Sequence, residues 1–525
     1  MLKKKLIKIL TASLVLSTIF ISFNWLNTDT VHASTSSNII DNTIVRTSDI
    51  VTDNGVWKSE SFYNGDKYTH ALPYRIFIPD EYDPNQPYSL VLFLHGAGER
   101  GTNNTDQILI QPKGPNLFAS AETQSKYPTI VVAPQCPNNE QWVDTPWENG
   151  SYNLDNVPVS DEMQMVVDII DNVKSEYNID ENRMYSTGIS MGGYGTWNVN
   201  LLFPDMFAAM IPICGASDPS KASLIKDKGI WAFHGDADSV VPVSGAREMI
   251  SALKSTNASP VYTEYSGVSH NSWDRAYSTS GLVDWMYSHV KNDPTGKENL
   301  SLNKITTSSG TSSSLHSDNA IDGDKSDKKS RWSSNISNDA WMQVDLGESQ
   351  YVDEVRIFWD EAYGKKYKIL LSEDGLNYNE VFSEENGTSG FDLIEFEPTK
   401  ARYVKFQGVE SAKSNGYSFL EFEIYNDIPV APPTDIVVSK PSNLTASNTS
   451  SNGTTLSWTA PNTTTGLTNY IIYKDGKIVD TLDSNATTYT VNHLRSNTNY
   501  GFKVASKYSN GDISKPISLN IRTKK

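Results

Sequence analysis

The stretch Met184 to Gly195, MYSTGISMGGYG, constrains this chain more than any other. A short strand pattern over Arg183 to Thr187 passes through Gly188-Ile189-Ser190-Met191-Gly192 into a helical pattern, Gly193 to Phe203, that stops before Pro204. A serine perched between a buried strand and a helix N-terminus takes a strained turn, and its neighbours two positions away on each side must be small. Gly188 and Gly192 supply that room. Such a turn either presents the Ser190 hydroxyl as a nucleophile or uses it to cap the helix, and these residues alone admit both.

The surrounding pattern alternates strand and helix. Val56 to Tyr63 and His70 to Ile78 read as two strands of a hairpin around Asn64-Gly65-Asp66. Tyr88 to Leu94, YSLVLFL, is a continuous apolar run typical of a strand covered on both faces. Further buried-strand candidates are Thr129 to Ala133, Arg183 to Thr187, Ala208 to Ile213, Gly229 to His234 and Val261 to Tyr265. Helical spacing is found in Asp161 to Tyr177, where Met163, Val166, Val167, Ile170 and Val173 share a face, and in Thr196 to Phe203, Ser244 to Lys254 and Ser280 to His289. The expectation is one α/β domain over residues 51–292, a mostly parallel sheet with helices on both faces. Chemistry in such sheets sits beyond the carboxyl ends of the strands.

Three polar residues occupy such positions. Ser190 follows one buried strand, Asp238 follows Gly229 to His234, and His270 follows Val261 to Tyr265. Singly, Asp238 is a turn former and His270 a loop histidine. Together they stand in the chain order of an α/β-hydrolase triad, Ser-Asp-His. His95 and His234 each precede a glycine at a strand end and read as structural; no zinc spacing such as HExxH is present.

Residues 1–33 carry Lys3, Lys4, Lys5 and Lys8, an apolar run from Ile9 to Phe23, and Val31-His32-Ala33 before Ser34. That is the pattern of a cleaved secretory signal; the run falls short of the roughly 20 residues that span a bilayer. A secreted, extracellular protein is expected, with a polar lead over 34–50. The formal charge is −18, and loss of residues 1–33, with four lysines against Asp29, takes it to −21. Such a surface repels nucleic acid and anionic membranes, so neither is expected as a partner, and a neutral polysaccharide suits it better. Only Cys136 and Cys214 are present, too few for a disulfide framework. Nothing in the sequence fixes an oligomeric state.

On the stretches LFLHGAGERG at 92–101, APQCP at 133–137, GISMGGYGTW at 188–197 and HGDADSVVPV at 234–243, residues 51–292 resemble the secreted α/β-hydrolase esterases. This is the group related to polyhydroxybutyrate depolymerases and to feruloyl and acetyl-xylan esterases, also described as predicted peptidases. The resemblance implies Ser190 as nucleophile, Asp238 rather than Asp236 as acid, His270 as base, and the backbone N–H groups of Ala97 and Met191 as oxyanion donors, with no cofactor for catalysis. It also implies a strand order that keeps Cys136 and Cys214 three strand spacings apart, beyond the roughly 7 Å reach of a disulfide. Trp142, Trp147, Tyr194 and Trp273, in or near the same loops, are candidate substrate-lining residues. Glu99 and Arg100 are expected to brace the oxyanion loop as an ion pair.

After a polar linker at 293–300 the pattern becomes all-β. Short strands are expected at Ala340 to Gly347, Val352 to Trp359, Lys366 to Ser372, Ile394 to Glu397, Tyr403 to Gln407 and Phe419 to Tyr425. With Asn319-Ala320-Ile321-Asp322-Gly323-Asp324, Trp341-Met342-Gln343-Val344-Asp345-Leu346-Gly347 and Leu420-Glu421-Phe422-Glu423-Ile424-Tyr425, residues 301–427 resemble the factor 5/8 C-type (discoidin) jelly roll in its carbohydrate-binding form. The resemblance implies a structural calcium held by Asp322, Asp324 and Glu421 with the Asn319 carbonyl, although Ser326 to Lys329 lengthens that loop. His316, Asn338, Trp359 and Tyr417 are candidate sugar contacts. A proline-rich linker at 428–440 leads to residues 441–525, which resemble fibronectin type III in Leu456-Ser457-Trp458, Tyr470 to Tyr473, the Lys474-Asp475-Gly476-Lys477 hairpin, Leu494 and Tyr500.

These expectations describe a secreted serine esterase acting on acetyl or feruloyl esters of plant polysaccharide. A polyester depolymerase, a serine peptidase, and a non-catalytic carbohydrate-binding adhesin are the other readings open at this point.

Overall fold

A computed structural model describes residues 48–109, 114–291, 297–426, 438–509 and 512–525. Residues 1–33, expected from the sequence to be a signal, most of the expected polar lead and much of both expected linkers lie outside the described residues. Among the described residues no helix is long and apolar enough to cross a membrane.

Each continuous apolar run becomes a buried strand, whereas Val261 to Tyr265, also expected to be buried, forms an edge strand in which only Val261 is buried. The first domain is built on β1 (Ile50–Thr52), β2 (Gly55–Phe62), β3 (Leu72–Pro79), β4 (Tyr88–Leu94), β5 (Thr129–Pro134), β6 (Ile179–Ile189), β7 (Ala209–Ile213), β8 (Gly229–Gly235) and β9 (Val261–Tyr265). They form one sheet in the order β1-β2-β3-β5-β4-β6-β7-β8-β9. The edge from β1 to β3 is antiparallel, β3 pairs antiparallel with β5, and from β5 through β9 every pairing is parallel. The helices are α1 (Ala121–Lys126), α2 (Asp161–Glu176), α3 (Met191–Leu202), α4 (Val243–Lys254), α5 (Trp273–Ala276) and α6 (Leu282–Tyr287). α2 shows why: Ser160 caps it by accepting the Met163 N–H at 3.1 Å, acidic Asp161 and Glu162 occupy its first turn, and its apolar stripe is buried.

Two expectations change. β2 and β3 pair as foreseen, but residues 63–71 join them as a longer loop, in which Lys67 and Tyr68 donate to the Asn64 carbonyl and the Tyr68 ring enters the core. β1, which begins at the last residue of the stretch read as a polar lead and was not expected as a strand, pairs with β2. Cys136 and Cys214 are free and buried, and they follow β5 and β7, with β4 and β6 between.

The second domain comprises β10 (Ile305–Ser308), β11 (Trp332–Ser333), β12 (Trp341–Trp359), β13 (Gly364–Ser372), β14 (Asn379–Glu384), β15 (Phe391–Ser411) and β16 (Ser418–Tyr425), all antiparallel. Four of the short strands expected there merge into two long ones. β12 and β15 continue through register shifts at Asp345/Gln350 and Val352/Glu354, bulges that bend the pair around a core of Trp332, Trp359, Phe406, Phe419 and Phe422. The third domain packs a three-stranded sheet, β17 (Ser442–Ser447), β18 (Thr454–Thr459) and β21 (Thr488–Val491), on a four-stranded one, β19 (Leu467–Lys474), β20 (Lys477–Asp483), β22 (Asn499–Tyr508) and β23 (Ile517–Arg522). Asp475 and Gly476 turn the β19–β20 hairpin at φ 50° and 87°, and the Tyr500 hydroxyl pins its corner by accepting the Arg495 N–H at 2.8 Å.

The first two domains share a core. Phe358 and Phe391 of the jelly roll join the cluster that holds Trp231, Phe233 and Trp285. The Phe391 N–H donates to the Ser280 carbonyl at 3.2 Å, and Lys254 of α4 pairs with Asp324 at 2.6 Å. A cavity of about 70 Å³ lined by Gly229, Val261, Lys325 and Arg356 marks the seam at the N-terminal ends of β8 and β9. The jelly roll is thus docked at the opposite end of these strands from Asp238 and His270.

Candidate active site

β6 ends at Ile189 and α3 begins at Met191, so Ser190 alone makes the turn, at φ 54° and ψ −118°. A non-glycine residue holds a positive φ only where its surroundings enforce it. Here the Ser190 N–H donates to the Ile213 carbonyl at 2.9 Å and its own carbonyl accepts the Tyr194 N–H at 3.1 Å. A Cβ at Gly188 would lie 2.6 Å from the Leu94 carbonyl oxygen, and one at Gly192 would overlap that same oxygen. The Ser190 side chain makes no capping bond to α3. Its hydroxyl is turned outward instead.

The Ser190 Oγ lies 2.7 Å from His270 Nε2, and His270 Nδ1 lies 2.7 Å from Asp238 Oδ2. Asp238 Oδ1 accepts the N–H groups of Val240 and Val241 at 2.8 and 3.0 Å. Asp236 is engaged elsewhere, accepting the Gly267 N–H at 2.6 Å. Burial alone would push the Asp238 carboxyl up, but bonds from His234, His270, Val241 and Val240 outweigh it and hold it well below the usual carboxylate range. A carboxylate acceptor at Nδ1 keeps the proton there and leaves Nε2 free to accept from the serine.

Ala97 opens a 3₁₀ turn directly after β4, beside the elbow: a Cβ at Gly96 would lie 3.6 Å from the Ile189 carbonyl oxygen. Arg100 braces this loop, but not through Glu99. Its Nε donates to the Ala97 carbonyl at 3.0 Å and its Nη1 to the Glu140 carbonyl at 3.3 Å. His95 is structural, donating from Nδ1 to the Gly96 carbonyl at 2.6 Å and accepting the Cys136 N–H at Nε2 at 2.9 Å. Burial pushes its imidazole down to about 4, so it stays neutral.

The four aromatic candidates divide. Trp142 is fully buried and donates its indole N–H to the His95 carbonyl at 3.0 Å, so it supports the loop from behind rather than lining a cleft. Tyr194 is buried too, its hydroxyl donating to the carbonyls of Trp147 and Gly150 at 2.9 and 3.0 Å. Trp147 and Trp273 keep partial exposure, with Arg100 over the first ring and the second edge-on to His270 at 5.5 Å.

Sequence reasoning named Cys214 only as an unpaired cysteine and did not place it at this site. Its Sγ, an Asp238 oxygen and a His270 nitrogen lie within 4.8 Å of one another. Burial pushes this thiol up to about 12, so it is protonated and unreactive beside the histidine. Its place at the end of a buried strand next to β6 was the available signal.

In the jelly roll, Trp359 and Tyr417 are core residues, not sugar contacts: the Trp359 indole donates to Asp392 at 2.7 Å and the Tyr417 hydroxyl to the Asn338 carbonyl at 2.6 Å. His316 and Asn338 are exposed. Around the proposed calcium loop, Asp322 accepts the Asp324 N–H at 2.8 Å, Glu421 accepts the Gly323 N–H at 3.0 Å, and Asn319 donates to the Arg331 carbonyl at 3.3 Å. Glu421 keeps one buried oxygen without a partner, yet Asp324 is committed to Lys254.

A family model described as "Putative esterase" matches residues 67–338, more than half of the chain, while models for the F5/8 type C domain and the fibronectin type III domain match 304–422 and 439–520. "Probable feruloyl esterase C" of Aspergillus niger is 25% identical over 222 residues, covering 42% of this chain and 75% of that protein. "Polysaccharide lyase 8 family protein HylA" of Enterococcus faecalis is 33% identical over 114 residues, 20% of this chain but only 8% of that one. A solved structure described as a thermostable esterase is 38% identical at a TM-score of 0.41, covering 45% of this chain and 63% of its own.

Proposed function

The chain belongs to the family described as "Putative esterase", and from that premise we propose that it is a secreted serine carboxylic-ester hydrolase acting on acyl esters of plant polysaccharide. The observation that carries the reading is the unbroken run of hydrogen bonds from Ser190 through His270 to Asp238 on a strained strand-to-helix turn.

His270, its Nδ1 proton held by Asp238, takes the Ser190 hydroxyl proton at Nε2 as the oxygen attacks the ester carbonyl. The carbonyl oxygen gains the negative charge and meets the N–H groups of Ala97 and Met191, each such donor worth about 3 kcal/mol in the transition state. Collapse of the tetrahedral species breaks the ester C–O bond, and the leaving alcohol takes the proton back from His270. Water then repeats the sequence on the acyl-serine, releasing the acid and restoring the hydroxyl. No cofactor is required.

The name of the Aspergillus relative favours a feruloyl over an acetyl group. Trp273, edge-on to His270, and the half-exposed Trp147 offer aromatic surface for such an acyl ring. The match of the second domain to F5/8 type C supports a polysaccharide as the bound polymer. The amino-terminal pattern of residues 1–33 supports export.

The test compares wild type with Ser190→Ala on methyl ferulate, p-nitrophenyl acetate and a hydroxybutyrate film. We expect ferulate and acetate release by wild type and a loss of about 10⁴-fold or more in kcat for the variant. Turnover by Ser190→Ala at the wild-type rate would refute the assignment, and film clearing without ferulate release would move the substrate to polyesters.

A further inference from the structure

We infer that His234 is a positioning residue for this hydrolase, its Nε2–H holding the Asp238 carboxylate in the plane that His270 requires. The inference rests on the reading of Ser190, His270 and Asp238 as the hydrolytic triad.

His234 is the penultimate residue of β8, and four residues later the loop brings Asp238 back over it. His234 Nε2 lies 3.2 Å from Asp238 Oδ2, and both side chains are wholly excluded from solvent. The same nitrogen lies 3.1 Å from the Val241 carbonyl oxygen. A carbonyl oxygen can only accept, so Nε2 carries the hydrogen, bonds it to that carbonyl and presents its positive end to the carboxylate oxygen 3.2 Å away. The other nitrogen, Nδ1, is buried with no partner, so the polar contacts of the ring are made through Nε2. These contacts fix His234 as a donor at Nε2.

The consequence lies in how Asp238 is held. Val240 and Val241 amides pin Oδ1, while Oδ2 bonds the His270 Nδ1–H at 2.7 Å and lies 3.2 Å from His234 Nε2. Two amides on one oxygen leave the carboxylate free to tilt about that oxygen. The His234 N–H, anchored on the Val241 carbonyl and set against Oδ2, opposes the tilt and keeps that oxygen where the His270 Nδ1–H points. Val241 closes the arrangement from both sides, its N–H on Oδ1 and its carbonyl on His234. His95 shows that the arrangement is particular. It too precedes a glycine at a strand end, yet both its nitrogens bond backbone groups. With no exposure, His234 cannot touch substrate, and it acts only through Asp238.

The test uses the full chain with His234→Phe, which keeps a ring of similar volume without the N–H, and His234→Gln, whose amide offers an N–H at similar reach. We expect kcat to fall about 10- to 100-fold in the Phe variant with KM within about twofold of wild type, and the Gln variant to recover at least half of that loss on a logarithmic scale. Wild-type kcat in the Phe variant, equal impairment of both variants, or a change confined to KM would overturn the proposal. If the Phe variant does not fold, the Gln variant decides alone: kcat within about tenfold of wild type supports the assignment, and a greater loss overturns it. Activity surviving Ser190→Ala would instead fault the triad on which the inference rests.

Discussion

At Gly192 a single added methyl group would meet the Leu94 carbonyl, and at Gly98, on the facing loop, it would meet nothing within 4 Å. Gly192→Ala should therefore open the elbow, costing about 2 to 4 kcal/mol in stability and most of the activity, whereas Gly98→Ala should stay within about 0.5 kcal/mol of wild type by urea titration. Equal effects would show that the elbow tolerates expansion. His95 makes a second residue-scale prediction. Its folded-state value of about 4 lies below the ordinary histidine value, so between roughly pH 6.5 and 4 the unfolded chain holds a proton that the native chain does not. Stability should fall as pH drops through that window, by about 3 kcal/mol from this residue, and His289, pushed down to about 3 by burial, adds to the fall in the same direction. Urea midpoints that stay level from pH 7 to pH 4.5 would contradict this. Ser190, Asp238 and His270 were legible because each follows a strand of the parallel sheet, and strand ends converge. Trp142, Tyr194, Trp359 and Tyr417 were not, because an aromatic residue near a loop gives no sign of which way its ring faces.

At the scale of elements, the parallel part of the sheet was readable from its strand patterns: the apolar run Tyr88 to Leu94 and the mixed, half-buried edge strand Val261 to Tyr265 keep the bounds expected of them. The long jelly-roll strands were not, since the polar residues around Asp345 to Gln350 look like a turn and instead form a bulge within a continuous strand. The question left open by the serine turn is answered by α3, whose first turn is uncapped by Ser190. α3 also carries Tyr194, the pin for the turn at Trp147 to Gly150. Tyr194→Phe removes only the hydroxyl, and we expect a loss of about 1 kcal/mol in urea unfolding together with faster hydrogen exchange in residues 147–150. Unchanged exchange there would mean that the turn holds itself.

For the whole molecule, the sequence suggests a catalytic domain with a sugar-binding module on a tether. The structure joins them more closely, because Phe358 and Phe391 complete the cluster around Trp231 and Trp285. That seam was invisible in sequence, since the same alternation that buries a strand residue within a sandwich buries it against a neighbour. Calorimetry should show residues of the first two domains melting in one transition, and Phe391→Asp, which places a charge in this core, should lower that transition by several degrees or split it. Two independent transitions in the wild-type chain would mean that the shared core contributes little. The central claim, that Ser190 attacks an ester carbonyl, is tested most directly by treating the full chain with a p-nitrophenyl phosphonate and locating the adduct by peptide mass spectrometry. One phosphonyl group per chain on Ser190, with activity lost in proportion and no adduct on His270→Ala, is the result expected; full labelling at another residue, or lost activity with Ser190 unmodified, would contradict it.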